Sequence, residues 1–273
     1  EGRAWHLRVA RSLDAVAREL GIDRSAAAST LLGARRRLLD VRSRRVRPGL
    51  DDKVLTSWNA LAIAGLLRAG LGLGEHDWIG MAEVALDALR RTVWRDGRLY
   101  ATRRGGEPAL PGYLDDYAFL LAALVEAMQT RMRPEDYAWA IELADALVDR
   151  FEDRERGGFW FTAHDHERLF HRTMPGHDDA TPSGNGVAAR ALVALGHLSG
   201  EPRYVEAAER AVRRFGPSIG ESPGGYSTLL EAAHDLEHPP AVVIVAGPAG
   251  ADDAGNGEAA RWTSALQRSY RPW

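Results

Sequence analysis

Residues 112–128 read Gly112-Tyr113-Leu114-Asp115-Asp116-Tyr117-Ala118-Phe119-Leu120-Leu121-Ala122-Ala123-Leu124-Val125-Glu126-Ala127-Met128. From Tyr117 to Met128 the only charged residue is Glu126. A segment this apolar, at helical length, predicts a helix buried on every side. The stretch behind it is different. Tyr137, Ile141, Ala144, Leu147, Val148 and Phe151 make a one-sided stripe. That spacing predicts a helix with one face to solvent. The two together read as a hairpin with an inner and an outer member.

The pair recurs on both sides. Upstream, Trp58, Leu61, Ala62, Ile63, Ala64, Leu66 and Leu67 make an apolar helix. Trp78, Ala82, Ala85, Leu86, Leu89 and Val93 make the striped one. Downstream, an apolar run from Val187 to Leu198 precedes a stripe of Tyr204, Ala208, Ala211, Val212 and Phe215. Gly224-Gly225-Tyr226 opens a fourth apolar helix. Strand-like segments punctuate the series. Gly97-Arg98-Leu99-Tyr100-Ala101-Thr102 matches Gly157-Gly158-Phe159-Trp160-Phe161-Thr162 at an offset of 60, and Gly224 to Tyr226 resembles Gly157 to Phe159 at an offset of 67. Repeats of this period point to stacked helical hairpins. The expected fold class is all-α: an α/α toroid of helical hairpins with short β-hairpin insertions. About four hairpins are legible, fewer than a closed six-hairpin ring. The barrel is therefore incomplete, or the N-terminal helices help to close it. An open α-solenoid is the alternative.

The flanks differ from the repeats. Helices are expected from about Ala4 to Leu20, stopped by Gly21, and after an Asp23 N-cap. The basic run Arg42–Arg47, ending at Pro48-Gly49, reads as a solvated linker. After Pro239-Pro240, the run from Ala241 to Ala246 reads as a buried strand. A loop from Gly247 to Gly257 and a helix near Ala259 to Arg268 follow. Gly247-Pro248-Ala249-Gly250 lacks the spacing of a phosphate loop. The expected segments are a helical pair and linker (1–49), the toroid (50–238) and a strand–helix tail (239–273).

Composition narrows the function. The 273 residues include no cysteine, which excludes disulfides, thiolate metal sites and thiol redox chemistry within the chain. With 35 basic against 38 acidic residues, no surplus draws a phosphate backbone, so nucleic acid is not an expected partner. No apolar run of about 18 residues predicts a membrane span. No signal peptide is visible, and cytoplasmic localisation is expected. His164, His166 and His171 fall in or beside a turn, so neither a metal nor a cofactor is expected.

Three polar clusters precede or open the inner helices: Asp51-Asp52-Lys53 with Thr56, Trp58 and Asn59; Tyr113 with Asp115, Asp116 and Tyr117; and His177 to Asn185, holding Asp178, Asp179, Thr181, Pro182 and Ser183. In a toroid the inner helices run parallel, so their N-termini share one mouth. Acidic residues there cap free N–H groups, and Thr181-Pro182 reads as a cap with proline at the first position. Capping needs one acid per helix, yet each cluster has two adjacent. Carboxylates mixed with aromatic faces suit sugar rings. Lys53, the only lysine among the 35 basic residues, supplies a compact point charge that arginine does not.

Asp51-Asp52-Lys53-x-x-Thr56-x-Trp58-Asn59, then Gly112 to Phe119, Gly157-Gly158-Phe159 and Pro182-Ser183-Gly184-Asn185 resemble, in order, one family. It is the thioredoxin-domain-containing proteins that include spermatogenesis-associated protein 20. The resemblance covers roughly Leu31 to Ala246. It implies a six-hairpin toroid similar to N-acylglucosamine 2-epimerases and six-hairpin glycosidases, without the thioredoxin-like domain and its cysteine motif. Redox activity does not carry over to this chain.

The leading expectation is a toroid that takes a sugar-like small molecule, with glycosidase-type acid/base chemistry. Asp116 and Asp179 are the catalytic candidates, with Asp52 and Asp115 in reserve. Lys53 would hold one carboxylate ionised. Trp58, Tyr113 and Tyr117 would face the ring, and Asn59, Ser183 and Asn185 would bind hydroxyls. An epimerase would need an opposed acid/base pair, for which His177 and His234 are the candidates. The third reading is a non-catalytic binding or scaffold module for a thioredoxin-like domain of a longer parent.

Overall fold

The computed structural model describes residues 8–245, 261–263 and 265–266. The chain forms two compact units, Glu1–Asp51 and Asp52–Trp273. The first holds α1 (Leu13–Leu20) and α2 (Arg24–Ser43). Ser12 caps α1, accepting from the Ala15 N–H, and Gly21 closes it in the left-handed region. Asp23 caps α2 through the Ser25 N–H, as the sequence suggests. Helix α1 is shorter than expected, since residues 8–12 are not helical. Among the described residues of this unit, only Ala17 and Ala27 are buried.

The second unit carries the hairpins. After a two-residue strand β1 (Val54–Leu55) come α3 (Thr56–Leu73) and α4 (His76–Val93). Strands β2 (Trp94–Arg95), β3 (Arg98–Arg104) and β4 (Glu107–Pro111) follow, then α5 (Leu114–Thr130) and α6 (Pro134–Ala146). Helix α6 ends in a π turn, Leu147–Phe151. The series closes with α7 (Gly184–Ser199), α8 (Pro202–Glu221) and α9 (Ser227–Glu237). Helix α5 packs against α3, α6 and α7, and α7 against α5, α8 and α9. The inner row is thus α3–α5–α7–α9, with α4, α6 and α8 outside it: the expected α/α arrangement.

Burial follows position in the row. Thirteen residues of α5 are buried, on every side of the helix. The expectation of burial all round fails for α3, where only Thr56, Ala60, Ile63, Leu67 and Gly70 are buried. Trp58 is 64% exposed and Leu73 69%. The reason is topological: among the described residues of this unit, α3 has an inner-row neighbour on one side only.

The small sheet is antiparallel, with β3 paired to β1, β2 and β4. Asp96 (φ 52°) and Gly97 (φ 69°) form the two-residue turn between β2 and β3. Both central residues at positive φ give the turn twist that a hairpin needs. The Gly157–Thr162 segment is not a strand; a single bridge joins Phe159 to Glu152. Its glycines serve a close approach instead. A Cβ on Gly157 would lie 2.3 Å from the Arg210 carbonyl oxygen of α8.

The expected tail strand is also corrected. Among the described residues, 241–245 have no ladder partner, and Val242, Val243 and Ile244 are exposed. An apolar run becomes a strand only where an edge takes up its N–H and C=O groups. Residues 261–263 and 265–266 are helical. The Gly247–Gly257 loop, with its glycine-rich start, lies outside the described residues. No described helix is long and apolar enough to cross a membrane.

Candidate functional site

The N-termini of the four inner helices meet, and direct contacts mark each junction. Asp116, in the first turn of α5, accepts the Ser57 N–H of α3 (3.0 Å) and the Tyr113 N–H (2.9 Å). At the next junction, Gly184 of α7 leaves room for Asp115: a Cβ there would stand 2.2 Å from Asp115 Oδ1. Asp178 then accepts the Ser183 N–H (2.8 Å) and, from α9, the Thr228 N–H (2.9 Å) and hydroxyl (2.7 Å). A helix's first N–H groups lack intrahelical acceptors, so carboxylates spanning two helix ends fix them to one another. The first turns of adjacent inner helices are thus tied to one another at one end of the row, its mouth.

These bonds reassign several expected site residues. Asp116 is 3% exposed and both its oxygens are bound to backbone N–H groups. Burial pushes its carboxyl up to about 6 against the pull of the Tyr113 and Ser57 bonds. Its position is that of a strut, not of a group facing substrate. Asn185 is fully buried and spent: its Nδ2 donates to the Phe159 and Pro175 carbonyls, and its Oδ1 accepts the Phe159 N–H. Ser183 is 4% exposed and is the N-cap of α7, accepting from Gly186. The cap expected at Thr181-Pro182 is thus displaced two residues, because Asp178 holds the Ser183 N–H. Tyr117 is buried, its hydroxyl accepting the Leu99 N–H (3.0 Å). Neither Asn185 nor Ser183 is free to bind a ligand hydroxyl.

Other candidates stay near solvent. Asp52 is exposed and paired with Arg104 (2.8 Å). Lys53 and Asp179 are exposed. Trp58 lies on the open side of α3, and the Asn59 amide donates to the Leu55 carbonyl (2.8 Å). Tyr113 is half-buried and stacks on Phe161, with centroids 5.0 Å apart and planes at 10°. Asp115 differs from all of these. It is half-buried, no hydrogen bond or ion pair holds it among the described residues, and burial pushes its carboxyl up to about 6.

The histidine pair expected for an epimerase is not assembled. His177 lies at the mouth against Tyr226, whereas His234 is in the last turn of α9 and stacks on His238. Among the described residues no group of three His, Asp or Glu side chains converges as a metal site.

Sequence reasoning missed a cavity of about 210 Å³ beside the mouth, between the β3–β4 hairpin, Tyr113 and residues 163–167. Arg98, Arg150 and His166 line it. Arg98 bonds Asp165 (2.5 Å) and holds its carboxyl below the usual range. The signal was the His164-x-His166 pair, which reads equally as ordinary turn chemistry.

No family model matches the chain. It is 26% identical over 258 residues to human spermatogenesis-associated protein 20, covering 90% of this chain and 33% of that protein. The rat protein of the same name gives the same identity and coverage. The chain thus spans about a third of the length of the curated relatives it matches, and the resemblance read from the motifs is found in these alignments. Among solved structures, a GH76 alpha-mannanase of Bacteroides thetaiotaomicron aligns with a TM-score of 0.54 at 13% identity, over 70% of this chain and 54% of that one. The cellobiose 2-epimerase of Bacillus thermoamylovorans aligns with a TM-score of 0.51 at 15% identity, over 60% and 45%. These likenesses show the α/α toroid fold.

Proposed function

We propose that the mouth binds a sugar or sugar-like metabolite and that Asp115 is its acid. The state of Asp115 carries this reading. A carboxyl pushed up to about 6, beside the start of α7 and free of hydrogen bonds among the described residues, holds a proton in mildly acidic solution. It remains able to give that proton up. This is what protonation of a leaving glycosidic oxygen requires. Asp179, exposed on the loop before α7, is the carboxylate we assign to activate water. The ring of Tyr113, two residues from Asp115, offers a face to a sugar's C–H groups. The fold shared with a mannanase and a cellobiose epimerase supports the substrate class by analogy.

The test is a panel of aryl glycosides and oligosaccharides, read as released reducing sugar. Asp115→Asn should lower turnover about 10²–10⁴-fold, the usual contribution of a general acid, without lowering the melting temperature. Equal turnover by Asp115→Asn and the parent chain would overturn the assignment.

One observation favours a second reading. Asp116 and Asp178 are struts, so much of the acidic clustering holds helices together. On this reading the toroid is a non-catalytic module for a thioredoxin-like domain of a longer parent. It predicts no sugar binding at any concentration tested and no effect of Asp115→Asn.

A further inference from the structure

Helix α2 carries a repeat that the mouth does not use. Leu31-Leu32-Gly33-Ala34-Arg35-Arg36-Arg37 is followed by Leu38-Leu39-Asp40-Val41-Arg42-Ser43-Arg44. A leucine pair and an arginine thus recur seven residues apart. At about 3.6 residues per turn, Arg35 and Arg42 fall between one row of Leu31 and Leu38 and another of Leu32 and Leu39. Within its own unit α2 packs against α1, and only its Ala27 is buried. The four leucines are 43% to 54% exposed, with Arg35 and Arg42 exposed between them. Arg11 and Arg24 pair with Glu19 and Asp14, whereas no ion pair engages Arg35, Arg36, Arg37 or Arg42 among the described residues. The positive charge is local. Residues 1–51 hold twelve arginines against six acidic residues, in a chain with 35 basic against 38 acidic overall.

We propose that this face of α2 docks an acidic amphipathic helix of a partner protein, one with carboxylates set between two apolar rows. The proposal does not rest on the sugar reading. Guanidinium groups between rows of leucine call for two complements at once. A second copy of α2 would set arginines against arginines, and like charges facing one another cost affinity. A bilayer surface takes helices whose charged and apolar faces lie opposite each other, whereas here the charges lie inside the apolar face. A bare polyanion would answer the arginines and leave the leucines in water. A helix of the same seven-residue spacing covers the leucines by packing. It also brings a carboxylate to each guanidinium, the pairing that arginine favours. Two heptads make a short seam, so the contact is weak and sensitive to salt.

Fluorescence anisotropy tests this on the whole chain. The probe is a labelled synthetic peptide, a few repeats of Leu-Leu-Ala-Ala-Glu-Gln-Ala, beside matched peptides with Gln or Lys in place of Glu. At low salt the Glu peptide should bind at least about tenfold tighter than the Gln peptide, about one decade in Kd. The gap should close towards about 0.5 M salt. Arg35→Glu combined with Arg42→Glu should reverse the order, with the Lys peptide now the tightest. Leu32→Ala combined with Leu39→Ala should weaken the Glu and Gln peptides alike. All four side chains are exposed, so the variants should keep the melting temperature of the parent chain. Equal binding of the Glu and Gln peptides overturns the proposal, as does no binding of the Glu peptide up to about 1 mM. A charge-reversed variant that still prefers the Glu peptide overturns it too. Phosphatidylglycerol vesicles that bind the chain, and that the Glu peptide fails to displace, would assign the face to a lipid surface instead.

Discussion

Helix α3 and helix α5 are composed alike and packed differently. Both are apolar on almost every turn. Helix α5 lies between α3 and α7 with α6 behind it, and water reaches almost none of it. Helix α3 ends the described row, and its Trp58 and Leu73 stand in solvent. Composition set how much each helix could bury, and neighbours set how much it does. The same contrast runs through the acidic residues. Asp116, spanning from α5 to α3, is a strut, while Asp115 faces the junction with α7 and is free of bonds among the described residues.

The sharpest way to break the comparison is to cut equal pieces from both helices. Leu121 of α5 is fully buried and Leu73 of α3 is 69% exposed. Leu121→Ala should cost about 3–4 kcal/mol, transfer loss plus cavity. Leu73→Ala should cost under about 0.5 kcal/mol. Urea denaturation of both variants measures the difference, and equal losses would mean that α3 is covered as α5 is.

A pH series probes the first turn of α5. Asp115 and Asp116 both have carboxyls raised to about 6 from 3.8. Between those values the folded chain keeps protons that the unfolded chain releases, so stability falls as pH rises from about 4 to about 6. The expected loss is about 2 kcal/mol, allowing for partial access of water to Asp115. Asp178 works in the opposite sense. Burial raises its carboxyl, but the Ser183 and Thr228 bonds outweigh this and the net shift is downward. Its contribution is present above 3.8 and fades as pH falls further. Denaturation midpoints rising steadily from pH 4 to 6 would contradict the burial of the α5 pair.

The smallest effect is a change of sign between glycines. A methyl group added to Gly65, mid-helix on α3, would have nothing within 4 Å, whereas a Cβ on Gly186 of α7 would meet Thr228 Cβ at 2.7 Å. Gly65→Ala should stabilise by about 0.5–1 kcal/mol through helix propensity. Gly186→Ala should destabilise by about 1–3 kcal/mol through overpacking. Thermal melts distinguish them.

The hairpin rhythm was legible because apolar periodicity reports burial directly, and it located the α3–α9 helices and the shared mouth. It overstated α3, since a sequence window carries no record of whether a neighbour exists. Gly157-Gly158-Phe159 looked like a strand because glycine beside aromatics marks both strand ends and close backbone approach. Among site residues, type and position were legible but direction was not. Asn185 and Asp116 read as ligand groups from chemistry alone, yet backbone groups of other segments claim them. The cavity lined by Arg98, Arg150 and His166 escaped notice because its walls come from segments far apart in the chain.

The carboxylate struts also bear on motion. The opening amides of a helix, with no acceptor in their own turn, ordinarily trade their hydrogens with water first. Here Ser57 and Thr228 give theirs to Asp116 and Asp178 of neighbouring segments. In deuterated buffer these two should outlast other first-turn amides, and release of either would report the parting of two helices. The mouth is therefore where this unit would be slowest to breathe.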